Sequence, residues 1–207
     1  MRTNQRTISD TKVTRYKANI TAGALLVLES RKVAQLLLEN VDKVRWKESI
    51  ENQNILQKRS PVSAKRIAAL IRSRLELMDA GLWTLVASGD SIVATHATFA
   101  AAIKHCVLLG DYLDIVVRGQ FQRLEEKLSR RLWDEYIIQC QQRDSLMNDF
   151  SPSTANKIRS NIHKILVEAG YLQNSRTLIL QRVEIAKEVI HYLQSRNENY
   201  VLRCIRV

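Results

Sequence analysis

Proline, glycine and cysteine are scarce in this sequence of 207 residues, which contains 2 Pro, 6 Gly and 3 Cys. Because turns between strands draw heavily on proline and glycine, this scarcity argues against an all-β architecture and favours long helices. The cysteines are scattered and odd in number, so they provide no disulfide framework and are typical of a reducing cytoplasm. An apolar content of 45% is ordinary for a globular protein, and the length fits one large or two small domains.

Long apolar runs are also missing near the start of the chain. The longest uncharged apolar stretch there, Ile20–Leu28, has nine residues, whereas a helix that crosses a bilayer needs about 20. We therefore expect this stretch to be a buried helix, with the helical pattern beginning at Thr21, and we expect no insertion into a membrane. Together with the cysteines, this predicts a cytoplasmic protein.

Negative charge is in deficit, and the excess of positive charge is unevenly distributed. The chain has 32 Lys and Arg against 21 Asp and Glu, a net charge of +11. Residues 31–74 contain 11 basic and 4 acidic side chains, residues 151–207 contain 9 and 4, and residues 75–117 contain 1 and 5. Positive charge segregated in this way favours a polyanionic partner, nucleic acid above all. The simpler interpretation is two solvated basic helix faces.

The two prolines occur in two copies of one phrase. Ser60–Ile67 reads SPVSAKRI, and Ser151–Ile158 reads SPSTANKI. Each copy follows a Trp-x-Glu-x-Ile skeleton, at Trp46–Ile50 and at Trp133–Ile137. Serine is a good helix N-cap and proline is well tolerated at the first helical position, so each copy predicts the start of a helix.

These features predict a mainly α fold, with two units like helix-turn-helix or winged-helix motifs placed around a helical middle. Residues 1–18 are predicted to be a flexible basic arm, residues 19–89 an N-terminal helical unit, and residues 90–207 a C-terminal helical unit. Within the last of these, we expect residues 121–142 to form one amphipathic helix.

A small C-terminal β element is also expected. The segments Thr177–Val183 and Tyr200–Val207 are rich in β-branched residues, which favour strands. Over about residues 130–183 the expected order is therefore helix, loop, helix, turn and strand. This is the order of a winged helix, a helix-turn-helix variant whose second helix enters the major groove.

The polar faces of the two Ser-Pro helices supply the candidate binding residues. In the second copy Thr154, Lys157 and Asn161 are spaced by three and four residues, so they share one face of a helix. Asparagine and threonine can contact bases, and lysine neutralises phosphate. Arg176 is added because it lies at the tip of the proposed wing, in the turn before the expected strand. The complete set predicted to bind nucleic acid is Ser63, Lys65, Arg66, Arg72, Ser73, Thr154, Lys157, Asn161, Lys164 and Arg176.

Catalytic and metal-binding patterns are not recognisable in the sequence. The four histidines form no metal-ligand spacing with the cysteines, and there is no glycine-rich phosphate loop or nucleophile elbow. Glu125–Lys127 contains the Glu-x-Lys of some nucleases, which place it on a strand, but here it lies in a helical pattern. We therefore expect a protein that is not an enzyme and that has no catalytic residues, metal or other cofactor.

The opening YKANITAGALLVLESRKVAQLLLEN, Tyr16–Asn40, resembles the start of the BrxA family, which is encoded in BREX (bacteriophage exclusion) defence clusters. The resemblance continues through the helical middle and through Ser151–Leu172, which contains SPSTANKI and LVEAGYL. It implies a cytoplasmic, non-enzymatic, mainly helical protein that binds double-stranded DNA and acts with other BREX proteins in phage restriction and host methylation. It supplies no fixed set of DNA-contacting residues, so the set above rests on the helical-face argument.

Two alternatives to DNA binding stay open at the level of sequence. One is an RNA-binding, antitermination-like protein, which the resemblance also suggests. The other is a helical protein–protein adaptor within the defence complex, whose acidic middle, residues 75–117, docks a basic partner.

Overall fold

The chain folds mainly into helices, in a computed structural model that describes residues 14–17, 19–20 and 24–207. The mainly α fold class is thus confirmed. The helices are α1 Val27–Leu38, α2 Lys43–Lys47, α3 Pro61–Leu75, α4 Ala80–Ser88, α5 Ser91–His105, α6 Val107–Asp111, α7 Arg118–Gln122, α8 Arg130–Arg143, α9 Pro152–Glu168, α10 Lys187–Ser195 and α11 Asn199–Ile205. A π-helical turn, Glu48–Asn52, continues α2, and a second, Tyr112–Val117, joins α6 to α7.

Both Ser-Pro phrases begin helices, as predicted. The hydroxyl of Ser60 accepts a hydrogen bond from the backbone N–H of Ser63 at 3.3 Å. The hydroxyl of Ser151 accepts one from the N–H of Thr154 at the same distance. Each serine therefore satisfies one of the backbone donors that the first turn leaves unpaired.

Helix α5 forms the centre of the molecule. Its sequence is apolar nearly all round, and most of its side chains between Val93 and Ile103 are buried. A helix without a polar face must be covered on every side, and α5 accordingly contacts α1, α3, α4, α6, α10 and α11.

The C-terminal helices return to the N-terminal half. Helix α10 packs on α4 and α5, and α11 packs on α5 and α6. The buried apolar side chains form one cluster that extends from Tyr16 to Ile205. The predicted boundary between residues 89 and 90 falls between α4 and α5, which pack directly on each other. The two-unit division stays a prediction, but the units share a core.

The predicted C-terminal strand Tyr200–Val207 is wrong, because residues 200–205 belong to α11. Val201, Cys204 and Ile205 are all buried, at spacings of three and four residues that fit one face of a helix. The β-branched composition suggested a strand, but the spacing of the apolar residues and the packing on α5 decide the conformation.

The predicted strand Thr177–Val183 is also wrong, since no strand forms between residues 24 and 207. What remains of the wing is two isolated antiparallel bridges, Lys127 with Ile179 and Leu172 with Leu180. Leu178 has a φ of 55°, which interrupts extended backbone. The predicted turn before it is present, as described below.

The predicted amphipathic helix over residues 121–142 is interrupted. Helix α7 ends at Gln122 and α8 begins at Arg130, with an irregular loop between them. Leu124, which fits the apolar register, is 82% exposed and has a φ of 57°. The loop instead makes backbone hydrogen bonds to the segment after α9, from Leu128 N to Leu178 O and from Leu180 N to Glu126 O.

The segment before α1 packs against the helices. Residues 1–13 and 18 of the predicted arm lie outside the described residues, as do residues 21–23. The described end of the arm is anchored, because the hydroxyl of Tyr16 donates to Asp111 at 2.8 Å and that of Thr14 donates to Asp144 at 2.7 Å. Ile20 and Leu25 are buried, but helix α1 begins only at Val27.

In the described part of the chain, no single helix is both long and apolar enough to cross a membrane. Ser91–His105 and Val107–Gln122, bent by 108° relative to each other, reach that length and composition only as a pair.

Candidate nucleic-acid interface

The two Ser-Pro helices both contact one segment, the residues just before α1, through side chains near their C-terminal ends. From α3, the guanidinium of Arg74 donates to the carbonyl of Ala24 at 2.9 Å. From α9, the carboxylate of Glu168 accepts the backbone N–H of Leu25 at 2.6 Å. The ends of these two helices, distant in sequence, therefore contact two adjacent residues of the chain.

The N-terminal half of α3 presents the predicted cations to solvent. Lys65 and Arg66 are exposed and Ser63 is half-buried. The ammonium of Lys65 lies 3.9 Å from a carboxylate oxygen of Glu51, a contact at the limit of an ion pair. Such exposed pairs contribute about 0–1 kcal/mol, so this lysine remains able to exchange its partner for a phosphate.

Arg72 and Ser73, on the last turns of α3, are held by neighbours. The guanidinium of Arg72 lies 4.7 Å from the ring centroid of Trp46, and its Nε donates to Glu76 at 2.6 Å. The hydroxyl of Ser73 donates to the Leu70 carbonyl at 2.8 Å and lies 3.2 Å from Nε2 of His105. Stacking fixes the plane of the Arg72 guanidinium, whereas Ser73 is occupied within the fold.

On α9 the predicted face divides into two groups. Lys157 and Lys164 are exposed, and Lys164 makes only a distant contact of 3.9 Å with Glu168. Thr154 is half-buried and accepts a hydrogen bond from the Ser151 hydroxyl at 2.9 Å. Asn161 donates its amide to the carbonyl of Ile20 at 2.7 Å, so its amide nitrogen serves packing.

Arg176 is exposed at the tip of the turn that follows α9. The side chain of Asn174 accepts the backbone N–H of Arg176 and that of Thr177, both at 2.9 Å. An asparagine that closes a turn in this way is a common local device, and here it fixes the backbone that carries Arg176.

The structure adds two arginines that the helical-face argument missed. Arg130, from the first turn of α8, and Arg159, from α9, line one cavity of about 370 Å³ together with Lys164 and the buried His163. Burial and then the charges of Arg159 and Arg130 lower the pKa of His163 to about 4. The adjacency of Arg130 to α9 is a tertiary contact, so no spacing in the sequence signals it.

Metal ligands are not grouped in the described ranges: no set of three His, Cys, Asp or Glu side chains there is placed to hold an ion. Cys106, Cys140 and Cys204 are buried free thiols. Burial raises the pKa of the Cys106 thiol to about 11, which leaves it protonated and a poor nucleophile at neutral pH.

The sequence matches a family model and several known proteins. A family model described as BrxA matches residues 14–197. A protein named BREX protein BrxA from Paramagnetospirillum magneticum AMB-1 is 51% identical over 193 residues, which are 93% of this chain and 97% of that relative. Another of that name, from Escherichia coli O9:H4 (strain HS), is 36% identical over 85% of this chain and 83% of its own length.

A solved structure shares the fold. The crystal structure of an uncharacterized protein from Magnetospirillum magneticum matches with a TM-score of 0.87 and 49% identity, over 93% of this chain and 98% of that chain. Since the family model spans most of the sequence and both relatives align over more than four-fifths of it, the chain belongs to the BrxA family.

Proposed function

We propose that this protein is a non-enzymatic, double-stranded-DNA-binding component of a BREX phage-defence system, and that it acts in the cytoplasm with other BREX proteins. BrxA proteins are part of BREX phage-defence systems. The observation that carries DNA binding is that two capped helices with exposed cations both contact one segment, the residues just before α1. Their basic blocks thereby belong to one body rather than to separate ends of the chain.

Phosphate contacts supply most of the affinity in this proposal. Lys65, Arg66, Lys157 and Arg176 are exposed, and their long side chains can reach a sugar–phosphate backbone. Long cationic side chains of this kind neutralise phosphates and release condensed counterions, which gives affinity without sequence preference. The guanidinium of Arg72 is stacked on Trp46 and its Nε pairs with Glu76, so its two terminal nitrogens are the groups that can contact one phosphate or one guanine edge.

The acidic middle of the chain does not favour the adaptor alternative, because its carboxylates are engaged within the molecule. Asp114 pairs with both Arg118 and Arg203, and Asp111 is buried against Arg15. Each of the other three also has an internal partner: Glu76 pairs with Arg72, Asp79 pairs with Arg196, and Asp90 caps α5. Four of these five carboxylates therefore have a cation of the same chain as a partner, which reduces the negative charge available to a basic protein.

A mobility-shift titration of duplex DNA at several salt concentrations tests the proposal. If both basic units contact the duplex through about four to eight phosphates, the logarithm of the binding constant falls with the logarithm of salt concentration by about 0.9 per phosphate. Duplexes of unrelated sequence should show nearly the same slope. A slope near zero, or no retardation at low salt, contradicts a phosphate-led DNA-binding function.

A further inference from the structure

A basic cavity lies where α9 passes the first turn of α8 and the turn that carries Arg176. Its volume is about 370 Å³. The residues that line it include Arg130, Arg159, His163, Lys164 and Ser175. Three of these five carry a positive charge at neutral pH, and none is acidic. The cavity adjoins the exposed cations of α9 on one side and the wing turn on the other.

The charges of the two arginines are not neutralised by a carboxylate in the part of the chain that the structure describes. Arg159 donates to the amide oxygen of Asn156 at 2.8 Å, which is a neutral partner. Arg130 is exposed at the start of α8, and neither arginine has a carboxylate within 4 Å among the described residues. Lys164 has only the 3.9 Å contact with Glu168. Like charges gathered without counter-charge repel each other, and an anion between them relieves that repulsion.

His163 belongs to the cavity wall beside these cations. Its ring is 6% exposed, and its Nε2 lies 3.4 Å from the hydroxyl of the buried Tyr112. Arg159 and Arg130 add to burial in lowering the pKa of the imidazole. The ring is therefore neutral at pH 7 and adds no fourth repelling charge to the cavity.

We propose that this cavity binds one phosphate group, and that in the DNA complex this group is a phosphate of the duplex backbone. The second statement rests on the proposed function. Two guanidinium forks match the geometry of phosphate oxygens, and a lysine and a serine hydroxyl supply further donors. The volume exceeds what one phosphate needs and leaves room for the adjoining sugars, and Arg176 follows Ser175 directly at the rim.

The first experiment probes the cavity without DNA. The imidazole resonances of His163 are followed by NMR during titration with inorganic phosphate, against sodium chloride at equal ionic strength. Phosphate should shift these resonances saturably and raise the pKa of His163, because the bound anion offsets the arginine charges. Arg159→Gln should weaken the response at least tenfold. Arg131→Gln is the matched control, because Arg131 neighbours Arg130 but pairs with Glu135 at 2.7 Å, and it should leave the response unchanged.

The second experiment identifies the source of the phosphate. Arg159→Gln should weaken duplex DNA binding and reduce the salt slope by about 0.9, the contribution of one phosphate, whereas Arg131→Gln should alter neither by a comparable amount. Circular dichroism confirms folding, and Lys164→Gln replaces Arg159→Gln if that variant is unfolded.

The outcomes separate the two statements. Equal responses of His163 to phosphate and to chloride overturn the cavity as a phosphate site, whatever the protein does with DNA. A phosphate response combined with an unchanged DNA slope in Arg159→Gln overturns the assignment to the backbone. If the wild-type protein fails to retard DNA, the proposed function fails, while the NMR titration still decides the cavity.

Discussion

At the scale of single residues, Arg74 connects one of the two basic helices to the segment before α1. It is 2% exposed, and burial lowers its pKa to about 10, so it remains charged at neutral pH. Its guanidinium donates to the carbonyls of Ala24 and Leu25 and, within the described residues, pairs with no carboxylate. A buried charge with carbonyl partners alone is costly to desolvate, and here it anchors α3 to the segment that α9 also holds.

Replacing Arg74 should therefore destabilise the whole fold. Arg74→Ala leaves the buried Ala24 carbonyl without its donor and opens a cavity, so we expect a loss of about 2–4 kcal/mol in the free energy of unfolding. Arg66→Ala, an exposed arginine on the same helix, should change stability by less than about 0.5 kcal/mol. Urea unfolding of both variants measures the difference. A loss below about 1 kcal/mol for Arg74→Ala would show that the hydrogen bonds of Arg74 to Ala24 and Leu25 are dispensable for stability.

His163 should make stability depend on pH in a predictable direction. Its folded pKa, lowered to about 4, lies below the unfolded value of about 6.5, so the unfolded chain binds the proton more readily. Stability is thus fully present above pH 6.5 and is lost as pH falls toward 4. His96 and His105 also have pKa values lowered by burial and act in the same direction, so the contribution of His163 must be isolated by difference.

The comparison that isolates it is His163→Gln, which keeps a hydrogen-bonding group near Tyr112. Between pH 7 and pH 5, this variant should lose about 2 kcal/mol less stability than the wild-type protein. His191→Gln, at an exposed histidine of α10, should follow the wild-type curve. Parallel curves for His163→Gln and wild type would mean that the imidazole titrates normally in the folded state.

At the scale of elements, local signals in the sequence predicted the Ser-Pro helices correctly. The elements that were predicted wrongly, the break between α7 and α8 and helix α11, depend on packing between distant parts of the chain. The capping serines and prolines act within one turn, so α3 and α9 begin at the predicted residues. The break between α7 and α8 depends on backbone pairing with residues 178–180, which no periodicity reveals. Likewise, α11 becomes a helix because its stripe of Val201, Cys204 and Ile205 fits the surface of the core.

The residues of the candidate site also divide into those whose exposure local sequence patterns predicted correctly and those that tertiary contacts decided. Exposure of Lys65, Arg66 and Lys157 follows from their positions opposite the apolar stripes, and the structure agrees with it. Asn161 is different, because the acceptor of its amide lies 141 residues away in the chain. A residue that appears polar and available on an isolated helix can be engaged by a segment that only the fold brings near.

The two caps offer a matched pair of element-scale tests. Ser60→Ala and Ser151→Ala each remove a side-chain acceptor located 3.3 Å from a backbone N–H, and each should cost about 1 kcal/mol of stability. Ser145→Ala, at an exposed serine in the loop after α8, is the control and should be close to neutral. If neither cap substitution lowers the unfolding midpoint more than the control does, the helix starts are fixed by packing rather than by capping.

At the scale of the whole molecule, the net charge of +11 is presented chiefly by the two basic units. Four of the five acidic side chains in residues 75–117 form ion pairs within the molecule, and the fifth, Asp90, caps α5. The hydrogen bonds of Arg74 to Ala24 and of Glu168 to Leu25, here called the clamp, connect α3 and α9 through one segment. Two basic helices in one body can contact the same duplex, whereas two independent units would each take a duplex of their own.

Charge reversal in one unit at a time should distinguish these arrangements. The variants are Lys65→Glu with Arg66→Glu in the first unit, Lys157→Glu with Arg176→Glu in the second, and a control, Lys187→Gln with Arg206→Gln, at exposed residues outside both helices. If both units contact one duplex, wild-type protein binds one short duplex per chain. Each reversal then weakens that single event and reduces the salt slope by up to about 1.8, two phosphates' worth. Combining the reversals should nearly abolish binding, because a negative helix repels the backbone that the other helix holds.

Calorimetric titration gives affinity and stoichiometry together. Two duplexes per chain in the wild type, falling to one at unchanged affinity in either variant, would show that the units bind separately and that the clamp serves stability alone.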